Sequence, residues 1–414
     1  MTAHNGEQLY GLRRVLTSLR MGLHPELRGL SLAQKLAIYR VSKESKLTRL
    51  NGRVYQNTFT PYWPSAAYDR FMRGLVATGT GTPTPVIINF AVTALCICKC
   101  WHCSFSNRVK RDQLSLDELK TGIAAAQDLG ASVIGFTGGE PLLRDDLEQI
   151  IAAVDERSMP LLFTTGYKLT AERVAALEDA GLGVPVVSLD HYDPAKHDAG
   201  RGVQGMHAYA LKAIELFKAA GFYTCVSFVP TRALLDEPDE FWKVLDFIRD
   251  QGVNDMRLTS PILSGNLTAR PEEALEARHV QLIHEAQRRS THSPGEPGMF
   301  AYDYFEGEEF YGCGAGYNYV FVDSLGNVCP CDFTMMSFGS IRDQPLGEIW
   351  SKIHARFQVP GRTCYATKIA GHVAALESDR WPLSEEDSVR VHEQCPSYDE
   401  CLPRFHREMG CRAP

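Results

Sequence analysis

Residues 96–103 read Cys96-Ile97-Cys98-Lys99-Cys100-Trp101-His102-Cys103, four thiols in eight residues. Thiols one residue apart cannot reach disulfide geometry without strain, so the run is not a disulfide framework. It suits a compact metal cluster, whose ligands converge from one short loop. Cys96, Cys100 and Cys103 have the spacing C-x3-C-x2-C. Three protein ligands on a four-iron cluster leave one iron open to a small molecule. A second group of thiols lies beyond residue 312, at Cys313, Cys329, Cys331, Cys364, Cys395, Cys401 and Cys411. Of the twelve cysteines only Cys225 stands alone, in an apolar run that suits a buried, inert thiol. Thiols are kept reduced in the cytosol, so two separate groups imply two metal sites.

These residues need a scaffold, and the chain is long enough to supply one. Its 414 residues allow two or three domains and a large core. Net charge is −7, which excludes a polyanion binder such as a nucleic-acid protein. No apolar run approaches the roughly 18 residues needed to span a bilayer. Arg13, Arg14 and Arg20 interrupt the only apolar stretch near the N-terminus, so no secretory signal is expected and a cytoplasmic location follows. No Ser-His-Asp arrangement or P-loop stands out, so hydrolase and ATPase readings have no support.

Residues 1–84 read as a basic helical extension, with twelve Lys and Arg against four Asp and Glu. Such a segment could contact an anionic lipid surface or an acidic substrate, or lie as a solvated layer on an acidic body. Residues 54–64 are aromatic and punctuated by proline, hence not helical. Residues 78–83 read as a linker. From Pro85 onward β-rich runs alternate with helical patterns. Strands are expected at 86–92, 133–137, 161–165, 184–189, 223–229 and 256–258, and helices near 115–130, 145–157, 170–180, 206–220 and 238–251. Ser115 with Glu118 forms a capping-box start for the first helix. This alternation predicts an α/β fold with parallel strands and right-handed crossovers. The pattern stops near residue 290, two units short of a closed barrel, so an open, six-stranded, partial (β/α)6 TIM-like barrel is expected. A small cysteine-rich domain follows it. The expected domains are 1–84, 85–295 and 296–414.

In such a sheet ligands bind at the C-terminal ends of the strands, and the first cysteine run falls directly after the first strand. After the second comes Thr137-Gly138-Gly139-Glu140-Pro141. Its glycines permit close backbone approach, and the carboxylate of Glu140 could hold an ammonium group. Tyr192 and Asp193, beside the end of the fourth strand, are placed to line a pocket. His191, His279 and His284 read as surface or supporting groups.

In combination these residues resemble the radical SAM superfamily. The likeness rests on Cys96-x3-Cys100-x2-Cys103 after the first strand, Gly138-Gly139-Glu140 after the second and Ser188-Leu189-Asp190 ending the fourth. The following His197-Asp198-x2-Arg201-Gly202 is similar to SPASM-type members. The resemblance covers about residues 85–350. It implies that the three cysteines hold a 4Fe–4S cluster whose open iron chelates S-adenosylmethionine. It also implies that Gly138, Gly139 and Glu140 border the methionine amino group. Ser188, Asp190 and Arg201 are candidates for its carboxylate and ribose. Reduction of the cofactor would then yield a 5′-deoxyadenosyl radical that abstracts hydrogen from an unactivated carbon. A structural zinc site is the alternative for close cysteines, but the usual second C-x2-C knuckle is absent. Cys98 fits neither interval and reads as a non-ligand. Trp101 and His102 are expected to pack around the cluster or the adenine.

At the second thiol group, residues 317–323 and 328–331 flank Ser324-Leu325-Gly326-Asn327 and read as a β-hairpin that brings Cys313 and Cys331 together. With Phe338-Gly339-Ser340-Ile341 and Leu346-Gly347-Glu348-Ile349-Trp350, the region resembles a SPASM or twitch auxiliary-cluster domain. Cys395-x5-Cys401 matches one interval of a full SPASM domain, but the expected C-x2-C pair is missing and His392 falls where its first cysteine would. One auxiliary 4Fe–4S cluster is therefore expected, held by Cys313, Cys331 and two of Cys329, Cys364, Cys395 and Cys401. A reducing partner such as flavodoxin or ferredoxin follows from the resemblance. The leading expectation is a radical SAM enzyme acting on a small molecule or lipid. A peptide-modifying SPASM-type maturase is the second reading, made less attractive by the lack of an obvious strand-rich leader-binding module. A non-catalytic iron–sulfur electron carrier is the third, and it would need no Gly-Gly-Glu motif.

Overall fold

The computed structural model describes residues 6–80, 83–106, 109–268, 270–376, 378, 381–397 and 401–412. The N-terminal part comprises β1 (Glu7–Gln8), α1 (Gly11–Gly22), α2 (Leu32–Ser42), β2 (Thr48–Leu50), β3 (Arg53–Tyr55) and α3 (Ala66–Thr80). It is thus not purely helical: β1, β2 and β3 form a small antiparallel sheet. The hairpin turns on Asn51 and Gly52, both at positive φ, as an Asn-Gly turn requires. Its strands are too short to show a period of two. Helix α3 runs through Thr80, where a linker was expected; residues 81–82 of that stretch lie outside the described residues.

The six expected strands are all present as β4 (Ile87–Thr93), β5 (Val133–Gly138), β6 (Met159–Thr164), β7 (Val184–Ser188), β8 (Cys225–Phe228) and β9 (Asp255–Leu258). They pair in chain order and in parallel. Both faces of these strands are buried, which is why they read as continuous apolar runs. The helices between them are α4 (Leu116–Asp128), α5 (Leu147–Ile151), α6 (Ala171–Asp179), α7 (Pro194–Arg201), α8 (Met206–Ala219), α9 (Arg232–Leu235) and α10 (Pro238–Asp250); α11 (Ala277–His292) follows β9. Ser115 and Glu118 form the expected capping box on α4.

The sheet continues past residue 295. β10 (Gly298–Ala301) adds in parallel to β9, and β11 (Tyr319–Val322) adds in parallel to β4 at the opposite edge. The expected hairpin is present: β12 (Val328–Cys329) pairs antiparallel with β11. The order is β10-β9-β8-β7-β6-β5-β4-β11-β12, an open sheet with no pairing between its outer strands among the described residues.

Two packing layers follow from the alternation along each strand. Ile134, Phe136, Leu162 and Val226 face the surrounding helices. Val133, Leu161, Val186 and Tyr223 face inward and meet Leu50, Tyr55, Phe59 and Ala67 of the N-terminal part. The aromatic stretch between β3 and α3 therefore closes the N-terminal end of the partial barrel. Its anchor is polar: the backbone N–H and hydroxyl of Thr58 donate to Asp255 Oδ2 at 2.7 and 2.6 Å. The opposite, C-terminal end is left for ligands.

Candidate active site

A cavity of about 430 Å³ opens at the C-terminal ends of the strands. The thiols of Cys96, Cys100 and Cys103 all line it, with Gly138, Gly139 and Ser188. The cysteine loop is held through its backbone. Lys99 N–H donates to Arg201 O (2.8 Å), Trp101 N–H to Gly200 O (3.1 Å), and Asn266 spans Cys100 O and Cys103 O at 2.8 and 3.0 Å. The C-terminal end of α7 and the segment after β9 therefore fix the loop's shape.

Arg201 is buried between Asp190 and the cysteine loop. Its Nη2 lies 2.6 Å from Asp190 Oδ2 and its Nη1 3.6 Å from Cys100 Sγ. Asp190 in turn accepts from the N–H of Val229, and its own N–H donates to His197 Nδ1. Asp198 accepts from the N–H groups of Gly205 and His207. The His197-Asp198-x2-Arg201-Gly202 stretch thus docks α7 on the end of β7 and aims a guanidinium at Cys100. A hydrogen bond from Cys98 and then the Arg201 charge pull the Cys100 thiol down to about 6, against its burial. Burial pushes Cys103 up to about 11. Cys98 shares hydrogen bonds with both Cys96 and Cys100 and is raised by them. Asp190 reaches the cavity only through Arg201, whereas Arg201 and Ser188 border it directly.

The glycine pair serves a close backbone crossing. Gly139 N–H donates to Thr93 O and Glu140 N–H to Leu95 O, at 2.7 and 2.8 Å. A Cβ on Gly138 would fall 2.2 Å from Thr93 O, and one on Gly139 2.0 Å from Leu95 O. Any side chain there would displace the segment that launches the cysteine loop. Glu140 is fully buried. Its Oε1 accepts from Leu142 N–H and Thr164 Oγ1, and its Oε2 from the N–H and hydroxyl of Thr165. Four donors fill a carboxylate's lone pairs, so Glu140 ties β5 to β6 and has no free oxygen for an ammonium group. Glu140→Gln puts two N–H donors against that set, and a loss of about 1–3 kcal/mol in denaturant-unfolding stability is expected.

Tyr192 and Asp193 do not line the cavity as expected. Tyr192 donates to Glu240 at 2.6 Å, and Asp193 caps α7 through Ala195 N–H. His279 pairs with Asp236 and His284 with Asp303 O, both supporting contacts.

Of the six C-terminal candidates, Cys313, Cys331 and Cys364 lie close enough that their charges oppose one another. Cys313 N–H donates to Gly361 O, which draws the segment before Cys364 onto the base of the hairpin. The others stand apart. Cys329 packs with Ala91 and Phe321, Cys395 points at Lys368 O, and Cys401 is exposed beside Arg407. Asp332 and Phe333, directly after Cys331, line the same cavity as the first cysteine loop. The segment that follows Cys331 thus reaches the cavity that the first cysteine loop lines.

One cavity residue carries no motif. Arg257, on β9, points inward across the cavity from the cysteine loop. Its Nε donates to Tyr302 Oη and its Nη1 to Ser227 Oγ, both at 3.2 Å. The rings of Phe59, Phe163 and Tyr302 lie 5.9, 5.2 and 4.8 Å from its guanidinium carbon. Burial opposes its charge, but Tyr302 and Asp332 hold its pKa above the ordinary arginine value. No carboxylate lies within ion-pair distance of it among the described residues.

The donor set fits an iron–sulfur cluster with a bound small cofactor. Three soft thiols edge a cavity bordered by His102 Nδ1 and Arg201 Nε, buried atoms without a protein partner. Among the described residues no three His, Cys, Asp or Glu side chains converge on a single-ion site.

Comparison with known proteins agrees. Residues 90–248 match the radical SAM superfamily, and residues 313–366 match SPASM, an iron–sulfur cluster-binding domain. An AdoMet-dependent heme synthase of Nitratidesulfovibrio vulgaris is 26% identical over 292 residues, 64% of this chain and 78% of that one. The enzyme of the same name from Methanosarcina barkeri is 27% identical over 290 residues, 64% and 82% of the two chains. Among solved structures, Streptococcus suis SuiB bound to the precursor peptide SuiA superposes with a TM-score of 0.54 at 17% identity, covering 68% of this chain and 69% of that one. That likeness is one of fold.

Proposed function

The chain belongs to the radical SAM superfamily and carries a SPASM domain, and on that premise we propose that it abstracts hydrogen from a carbon of a small, carboxylate-bearing metabolite. The family brings a 4Fe–4S cluster and S-adenosylmethionine, with a further iron–sulfur cluster in the SPASM domain. When bound and reduced, these groups supply a 5′-deoxyadenosyl radical. The protein must hold, orient and enclose. Cys96, Cys100 and Cys103 would hold the first cluster, with Arg201 neutralising thiolate charge at Cys100. Gly138 and Gly139 would keep the loop in register, and Ser188 would border S-adenosylmethionine. Cys313, Cys331 and Cys364 would hold the second cluster with one position left for another donor. That second cluster would lie beside the cavity, where it could exchange an electron with substrate.

The observation that carries the substrate reading is Arg257. A half-buried guanidinium in an active-site cavity, with two neutral hydrogen-bond partners and Asp332 near it but outside ion-pair distance, is a socket for an anion. Carboxylate is favoured because the planar fork matches it in two hydrogen bonds. The names of the heme synthase relatives point toward small-molecule biosynthesis in the same direction. A deletion strain should accumulate a carboxylate-bearing metabolite that the anaerobically reconstituted holoenzyme consumes, with release of 5′-deoxyadenosine, once S-adenosylmethionine and dithionite are supplied. Accumulation of an unmodified short peptide would replace this reading with the peptide maturase. That second reading draws on the small N-terminal antiparallel sheet, a strand element that sequence patterning alone does not reveal.

A further inference from the structure

Large apolar side chains left exposed are concentrated in one stretch of the chain. Apart from Leu95 and Val109, all of those among the described residues lie between Tyr10 and Tyr39. On α1 and at its C-cap they are Leu12, Val15, Leu16, Leu19 and Leu23. Their spacing of three, four and seven places them on one helical face. On α2 they are Leu32, Leu36 and Tyr39, again one face. The inward side of α1 carries Thr17, Met21 and the partly buried Arg14. Helix α1 therefore turns its more apolar face outward, the reverse of what core packing selects. Leu12, Leu23 and Leu32 are 72%, 75% and 74% exposed. Arg14 ties α1 to the C-terminal end of α2 by donating to the carbonyl oxygens of Lys43 and Ser45 at 2.8 and 2.9 Å.

Charge decides what such a face fits. Every acidic side chain of residues 6–80 already has a partner: Glu7 pairs with Arg13 and Arg49, Glu26 with Arg73 and Glu44 with Lys43, and Asp69 shares a hydrogen bond with His24. Arg20, Arg28 and Lys35 are exposed on the same two helices and their connection, and they have no carboxylate partner among the described residues. The surface is an apolar ridge with an uncompensated positive rim. A two-fold contact with a second copy would set that rim against itself. An anionic bilayer surface meets both demands at once: acyl chains for the leucines and negative headgroups for the cations.

We propose that α1 and α2 dock the protein on the surface of a membrane rich in anionic lipid, with the Leu12–Leu23 and Leu32–Tyr39 faces lying in the interface. The protein would lie on the bilayer and not cross it; no helix among the described residues is long and apolar enough to span one. The cavity and both thiol groups are built from other elements, so docking and chemistry are separable.

The test is flotation of the reconstituted holoenzyme with vesicles of phosphatidylcholine and phosphatidylglycerol, beside vesicles of phosphatidylcholine alone. The holoenzyme should float with the mixed vesicles, lose most of that binding on phosphatidylcholine, and be released by salt as screening sets in. Leu12→Glu and Leu19→Glu should each lower the vesicle-bound fraction about tenfold, and combined R20E, R28E and K35E should lower it comparably, with 5′-deoxyadenosine release unchanged. Absence of flotation with the anionic vesicles would overturn the proposal. So would binding that is indifferent to these substitutions, or equal on both vesicle types. A stable dimer in sedimentation equilibrium that Leu19→Glu dissociates would also overturn it, by assigning the face to a second copy.

Discussion

Replacing Cys96, Cys100 and Cys103 together by alanine is expected to abolish 5′-deoxyadenosine release while leaving a substantial fraction of the bound iron. The three thiols edge the cavity on one loop, and that loop is held by backbone contacts to Gly200, Arg201 and Asn266 that the substitutions do not touch. Loss of activity without loss of fold should follow, checked by iron content, the cluster absorption band and circular dichroism. Cys98→Ala should retain both cluster and activity, since its thiol sits between Cys96 and Cys100 without completing the motif spacing. The remaining iron should then depend on Cys313, Cys331 and Cys364 and be indifferent to alanine at Cys329, Cys395 or Cys401, which the fold directs elsewhere. Complete loss of iron in the triple variant would refute two independent sites. Retained 5′-deoxyadenosine release would refute the assignment of the first.

What sequence could and could not reveal follows from the range of the interactions involved. The six central strands were legible because parallel strands buried on both faces must be apolar throughout, as in residues 184–188. β10 was not: four residues beginning with Gly298 carry no periodic signal, and the strand exists because β9 offers an edge. β11 was legible as half of a hairpin but not as the neighbour of β4, because that pairing joins residues more than two hundred positions apart. The same division runs through the site. Cysteine spacing is local and could be read. The occupancy of Glu140 could not, since Thr164 and Thr165 reach it from the next strand. Asp190 and Arg201 were read as ligand-binding, but the fold first binds them to each other. Choosing Cys364 among the C-terminal thiols required knowing that Gly361 meets Cys313.

Arg257 shows how a decisive residue can escape motif reading, and it carries the second large expected effect. Its only sequence signal is a charge within a short β-run at the C-terminal side of a parallel sheet, a position that favours function over packing. In the fold it faces the cysteine loop across the cavity, fixed by Tyr302 and Ser227 and enclosed by three rings. Arg257→Met keeps much of the side-chain volume and removes the charge. A charged hydrogen-bonded contact is worth about 1.5–3 kcal/mol, so kcat/KM for the native substrate should fall about ten- to a hundredfold. The fall should come mainly through KM, because an anion held away from the reacting carbon is bound alike in ground and transition states. Release of 5′-deoxyadenosine without substrate should persist, since none of the residues that tie the cysteine loop contacts Arg257. Arg257→Lys should restore only part of the loss, because an ammonium cannot reproduce the planar fork. Unchanged KM in a folded, iron-replete Arg257→Met enzyme would remove the anionic-substrate reading while leaving the radical chemistry at the cysteine loop intact.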